Sequence, residues 1–132
     1  MKIVVLFAII ILIFSACDNS YKEKELYGAY VPIDYKNTFD TIILKPNGEY
    51  NRKIYNKNNK RVLDMNGEWE FKNSNRLKIE GFYLNLDDDL IKFPNSINDT
   101  DMSIDTYFET QNSVIKFCVG YHHNGNCYKK IN

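Results

Sequence analysis

The sequence predicts an all-β domain, a small antiparallel up-and-down β-barrel or sandwich of about eight strands, preceded by a signal peptide. Three observations predict it. After residue 26 the apolar residues come in short runs of strand length, separated by Asn, Asp and Gly, as hairpin turns punctuate a sheet. Ten Tyr and eight Phe stand against one Trp, and aromatic rings pack well on a pleated surface. No segment carries an apolar stripe at helical spacing between recognisable caps.

The N-terminus carries an address. Lys2 supplies a positive charge, and Ile3 to Phe14 is an unbroken apolar run of about 12 residues. That falls short of the ~20 residues a membrane-crossing helix needs and fits the core of a secretory signal. The run ends in Phe14-Ser15-Ala16-Cys17, with small residues just before a cysteine. This resembles the lipobox of bacterial lipoproteins, although Phe14 stands where that pattern usually has Leu. The resemblance implies that residues 1–16 are removed, that Cys17 becomes a diacylglyceryl cysteine with palmitate-type chains, and that the protein is lipid-anchored in the envelope of a Gram-negative-type bacterium. Each buried acyl methylene contributes ~0.8 kcal/mol, so lipidated Cys17 holds the domain at a membrane without a spanning helix. Asp18 to Glu25 is polar with mixed charge, too poor in apolar surface to order itself, so residues 17–25 are expected to be the lipidated cysteine and a flexible tether. Asp18 resembles an inner-membrane retention signal of some Gram-negative bacteria, and nearby acids resemble surface-export signals of others, which leaves membrane and face open.

Residues 26–132 make one domain. Without Lys2 the chain holds 16 basic and 17 acidic side chains. A balance so close to neutral offers no basic field for nucleic acid.

Leu26 to Val31 reads as the first strand and Phe39 to Lys45 as the second. Pro46-Asn47-Gly48 then gives a tight turn, since Pro presets its first central position and Gly takes a left-handed one. Glu49 to Tyr55 returns, Asn56 to Lys60 turns again, and Arg61 to Met65 starts another strand. In Gly67 to Lys72, Trp69 and Phe71 face one side while Glu68, Glu70 and Lys72 face the other, the pattern of a strand with one wet face. Leu77 and Ile79 continue the inward set. The parity then flips to Phe82, Leu84 and Leu86, which predicts a bulge or sharp bend at Glu80-Gly81. Asp87-Asp88-Asp89 reads as a turn, Leu90 to Phe93 as a short strand, and Pro94 to Ser103 as a long polar loop. Ile104 to Glu109, Val114 to Val119 and Asn126 to Ile131 complete the set.

Leu26-Tyr27-Gly28-Ala29-Tyr30 and Met65-Asn66-Gly67-Glu68-Trp69 share a Gly-x-aromatic core, with Asp40 to Leu44 and Asn47-Gly48-Glu49-Tyr50 between them. This order, over about residues 26 to 86, resembles small secreted bacterial proteins with a lipocalin-like domain, with Tyr30 where Trp is usual. The resemblance implies an up-and-down barrel and a small apolar ligand, and it brings no catalytic residues. A Gly beside a large aromatic lets a ring cross a neighbouring backbone, which makes Trp69 a packing residue.

Cys118 and Cys127 are the cysteines left once Cys17 is lipidated, and an even pair in an exported domain reads as a disulfide. A two-residue turn at Asn124-Gly125 would set Cys118 opposite Ile131. A wider loop from Gly120 to Gly125 sets Cys118 opposite Cys127 and Phe117 opposite Tyr128, at the mild cost of Lys116 facing Lys129. The second register is favoured. His122-His123 sit in that loop as adjacent residues, which point to opposite sides of an extended chain and make a poor chelate. Asp87 to Asp89 and Asp99-Thr100-Asp101 lack the spacing of a calcium loop and read as solvated turn acids. Ser20, Ser74, Ser96, Ser103 and Ser113 sit in no nucleophile motif, and no phosphate loop is present. No enzyme, metal or cofactor is expected. The reading is a membrane-anchored lipocalin-like domain that binds a small apolar or amphipathic ligand around inward positions such as Ile79. Its alternative is a protein-interaction module (inhibitor, immunity or envelope-assembly accessory) whose barrel is filled and whose loops meet an envelope protein.

Overall fold

The computed structural model describes residues 20–95, 102–120 and 126–131. The strands are β1 (Gly28–Pro32), β2 (Thr38–Leu44), β3 (Glu49–Asn56), β4 (Arg61–Lys72), β5 (Arg76–Ile79), β6 (Ile104–Gln111), β7 (Val114–Cys118) and β8 (Cys127–Ile131). Each pairs antiparallel with the next, and β8 pairs with β1, so the eight strands close into a barrel. The barrel, rather than a sandwich, leaves no free sheet ends to protect.

Alternation decides which face turns inward. Thr38, Asp40, Ile42 and Leu44 of β2 are buried while Phe39 and Ile43 are exposed, and Tyr50, Arg52 and Ile54 of β3 are buried beside them. The inward residues of the other strands add Tyr30, Trp69, Leu77, Ile79, Phe108, Phe117 and Tyr128 to the main core, while Ile54 packs in a second cluster with Leu63, Tyr83 and Leu90. The turn after β2 runs as expected, with Gly48 at φ +76.

One end of the barrel carries the short turns between β2 and β3, β4 and β5, and β6 and β7. The other end carries the β3–β4 turn and the longer connections from β1 to β2, β5 to β6 and β7 to β8. The turn end is closed by α1 (Glu23–Leu26), a single helical turn whose Leu26 is fully buried. The expected tether is therefore shorter than residues 17–25. The Tyr21 N–H donates to the Ser74 carbonyl at 2.8 Å, and the Tyr21 hydroxyl meets Thr110 Oγ1 at 2.8 Å. The Tyr21 ring stands edge-on to Phe108 at 6.1 Å. Composition underestimated this stretch because two apolar anchors, Tyr21 and Leu26, suffice when a barrel mouth receives them.

Three other elements differ from expectation. Arg61 to Met65 and Gly67 to Lys72 form one strand of 12 residues. Gly67 does not break it, because the Tyr50 ring lies where a side chain would: a Cβ there would stand 2.4 Å from Tyr50 Cε1. Phe82 to Leu86 is not a strand. β5 ends at Ile79, Gly81 turns the chain at φ +65, and the segment crosses the loop end with Phe82, Tyr83 and Asn85 buried and Leu86 exposed. The bend at Glu80-Gly81 is present. Leu90 to Phe93 contributes to α2 (Asp89–Lys92) instead of a strand; this turn buries Leu90 against Ile54, Leu63 and Tyr83.

Candidate functional site

The barrel interior holds a charged network. Arg52 and Asp40 point inward from neighbouring strands, offset by two residues in a register that pairs Ile42 with Arg52 and Asp40 with Ile54. Both side chains are fully buried, and they meet as a fork: Arg52 Nε donates to Asp40 Oδ1 at 3.0 Å and Nη2 to Oδ2 at 2.6 Å. Arg52 Nη1 donates to the Tyr83 carbonyl. Nη2 also lies 3.2 Å from the Tyr128 hydroxyl, which donates to Asp40 Oδ2 at 2.9 Å. The Phe82 ring lies under the guanidinium at 4.1 Å from its centroid, in cation–π range.

The electrostatics keep Arg52 charged and the Tyr128 phenol protonated. Burial opposes the Arg52 charge, but Tyr128 and Asp40 outweigh burial and hold its pKa above the ordinary value. Burial pushes the Tyr128 phenol well above its usual range. Burial likewise raises Tyr50, to about 12. Among the described residues no buried side-chain nitrogen or oxygen lacks a hydrogen-bond partner. A saturated fork of this kind has no free acid or base to lend to a substrate. Removing either partner would leave the other as an uncompensated buried charge.

A second polar lock closes the loop end. Asp87 takes φ +63, and its Oδ1 accepts the backbone N–H groups of Lys36, Asn37 and Thr38 at 3.1, 2.7 and 3.1 Å. Its Oδ2 accepts Asn37 Nδ2 at 2.6 Å. Successive N–H groups converging on one point form an anion nest, and here the chain's own carboxylate fills it. Burial works against ionising Asp87, but these donors outweigh it and hold the carboxyl below its ordinary 3.8. Asp87 was expected to be a solvated turn acid; it instead pins the crossing segment to the loop between β1 and β2. Asp88 pairs with Lys92 at 3.0 Å, and Asp89 accepts the Leu86 N–H at 3.1 Å. Tyr35 joins the same end by donating to the Asn85 carbonyl.

Of the residues singled out from sequence, Cys118 and Cys127 stand opposite one another on β7 and β8 with their sulfurs bonded. The register is the wider-loop one, with Phe117 against Tyr128 and Lys116 against Lys129. The rings of Phe117 and Tyr128 stack at 5.3 Å, 12° from parallel. Trp69 is buried, donates Nε1–H to the Lys45 carbonyl at 3.0 Å and packs edge-on to Tyr27. Ile79 is fully buried in the core. Ser20, Ser74, Ser103 and Ser113 are exposed, and Ser74 and Ser113 take positive φ in turns. Cys17, Ser96, Asp99, Asp101, His122 and His123 lie outside the described residues. Among the described residues, no three His, Cys, Asp or Glu side chains gather as a metal site.

Sequence reasoning missed the Arg52–Asp40 pair, although the signal was present. On the inward parity of β2 and β3, Asp40 and Arg52 are the charged residues, opposite in sign and on adjoining strands.

No family model matches the chain, and neither the curated proteins nor the solved structures give a match.

Proposed function

We propose that this protein is a lipid-anchored interaction module of the bacterial cell envelope, with a filled barrel that presents its loop end to a protein partner. The observation that carries this reading is the occupied interior: Arg52, Tyr30, Tyr50, Tyr128, Phe82 and Phe108 are each at most 1% exposed. A small apolar ligand held inside would have to displace a saturated ion pair, which costs several kcal/mol per uncompensated charge.

Two further features favour the arrangement. Tyr21 is held at the turn end, four residues after Cys17 in the chain, so an acyl anchor at Cys17 lies within roughly 14 Å of Tyr21 even when extended. The turn end then faces the membrane and the loop end faces away. That distal end gathers Ile33, Leu86, Ile91, Phe93 and Met102, each at least 40% exposed, and apolar side chains collected on loops of a rigid scaffold are typical of recognition surfaces.

The test is native mass spectrometry of the protein extracted in mild detergent from expressing bacteria. The expected spectrum shows a chain that starts at acylated Cys17 and carries no small molecule removable by denaturation. A retained apolar molecule of discrete mass would overturn the filled-barrel reading in favour of a ligand carrier.

A further inference from the structure

The outer walls of the barrel differ in chemistry. On the β4 wall Asp64, Glu68 and Glu70 are exposed. On the opposite wall β2, β1, β8 and β7 turn Ile43, Ala29, Ile131 and Val114 outward in one row. Ala29 pairs with Ile43 on one side and with Ile131 on the other, and Val114 comes opposite Ile131 two residues beyond the Lys116–Lys129 pair. Each of the four stands at or next to the turn-end terminus of its strand. Ile43, Ile131 and Val114 are exposed, and the row is flanked by the neutral Asn51 and Gln111.

Two residues further toward the loop end, the next outward row holds Val31, Lys129 and Lys116. Lys116 is paired with Glu109 at 3.0 Å. Lys129 is exposed and, among the described residues, takes part in no salt bridge. The outward faces of these four strands carry no acid. The acids of α1 are engaged elsewhere: Glu23 accepts the hydroxyl of Tyr27, whose ring packs against Trp69, and Glu25 accepts the Lys22 N–H.

The attachment of the N-terminus decides what lies against this rim. Cys17 stands four residues before Tyr21, whose hydroxyl meets Thr110. Thr110 in turn pairs with Ile115, the neighbour of Val114. Acyl chains on Cys17 lie within roughly 14 Å of Tyr21, which brings a lipid surface up to the row. Moving away from that anchor, the apolar row comes first and the lysine row second. The same order is met on leaving a bilayer, acyl carbon and then phosphate, whereas a protein partner imposes no such order.

We infer that this rim seats on an anionic bilayer, with Ile43, Ile131 and Val114 at the boundary of acyl chains and headgroups and Lys129 among the lipid phosphates. The inference deepens the lipid-anchor reading and rests on it.

Methyl NMR of the acylated full chain in nanodiscs tests the inference. The bilayers are phosphatidylcholine with or without phosphatidylglycerol, each doped with a lipid that carries a nitroxide near the headgroup end of its acyl chain. In the anionic bilayer the Ile43, Val114 and Ile131 methyls should broaden at least about threefold more than those of Ile33 and Ile91, because only side chains seated in the interface approach the nitroxide. Lys129→Glu should keep the thermal midpoint, since its side chain is exposed and outside every salt bridge among the described residues. That variant, and separately the omission of phosphatidylglycerol, should each cut the broadening at least about threefold.

Unbroadened Ile43, Val114 and Ile131 methyls on an acylated chain would overturn the inference and leave the row to a protein partner. Equal broadening of Ile33 and Ile91 would overturn it, because the domain would then have no fixed face toward the bilayer. Broadening that ignores both Lys129→Glu and the lipid charge would overturn it as well. The mass of the purified chain reports acylation separately: an unmodified Cys17 would sink the lipid-anchor reading and the inference with it, whereas an acylated chain with a free rim sinks the inference alone.

Discussion

Tyr50 of β3 lies directly opposite Gly67 of β4 and fills the space that any side chain at Gly67 would need. The ring crosses the β4 backbone, and the hydroxyl reaches the carbonyls of Glu80 and Gly81 at 2.9 and 3.2 Å. One contact thus keeps β4 continuous and ends its ladder with β5.

Gly67→Ala should therefore force Tyr50 from its place and cost about 1–3 kcal/mol, the range for overpacked cores. Tyr50→Phe keeps the ring and loses the hydroxyl bonds, for about 1 kcal/mol. Urea unfolding of both variants checks this. An unchanged midpoint for Gly67→Ala would mean that the ring has room to move.

The Arg52–Asp40 fork makes a sharper prediction. Either Arg52→Met or Asp40→Leu alone leaves a buried charge without its partner and should cost about 3–5 kcal/mol. The double replacement removes both charges and should recover most of that loss. A double-mutant cycle from denaturant midpoints measures the coupling, and additive losses would show that the pair does not act as a unit.

The strand layout was legible in the sequence because alternation and turn residues are local. The disulfide register was legible because it follows from loop length and pair chemistry on β7 and β8. The crossing segment was not. Phe82, Leu84 and Leu86 alternate like a strand, but the inward residues are Phe82, Tyr83 and Asn85, chosen by the barrel mouth they close. Asp87 was equally hidden, since its partners Lys36, Asn37 and Thr38 lie some fifty positions earlier. The Arg52–Asp40 pair lay between, visible as two charges of the wrong parity and unreadable as a fork without the register.

Stability should respond to pH from both sides. Asp87 has a folded pKa below its ordinary 3.8, so its contribution is present above that value and is lost as pH falls through the folded one. Asp87→Asn should lower the thermal midpoint at pH 7 and flatten its fall below pH 4. Tyr50 is raised from 10.0 to about 12, so its contribution is complete below pH 10 and is lost as pH rises toward 12. Thermal melts across both ranges, with Tyr50→Phe on the alkaline side, check the signs; a steeper acid fall for Asp87→Asn would contradict the nest.

The disulfide closes a short loop, with Cys118 and Cys127 nine positions apart. Chain-entropy reasoning gives about 2–3 kcal/mol for such a closure. Cys118→Ser/Cys127→Ser should lose that much and still fold, since Phe117 and Tyr128 remain stacked beneath the pair. The oxidised chain should also weigh ~2 Da less than the reduced one. A full reduced mass from an oxidising compartment would contradict the pairing.

The anchor is tested at Cys17. In bacteria fed radiolabelled palmitate, the native chain should take up label and sediment with membranes. Cys17→Ala should do neither, while its barrel keeps the same thermal midpoint once released from the leader, because Tyr21 and Leu26 hold the N-terminal end without help from the lipid. Two acyl chains supply far more membrane affinity than one, so a native chain that stays soluble would refute the lipidation itself and would leave the orientation of the loop end without its physical cause.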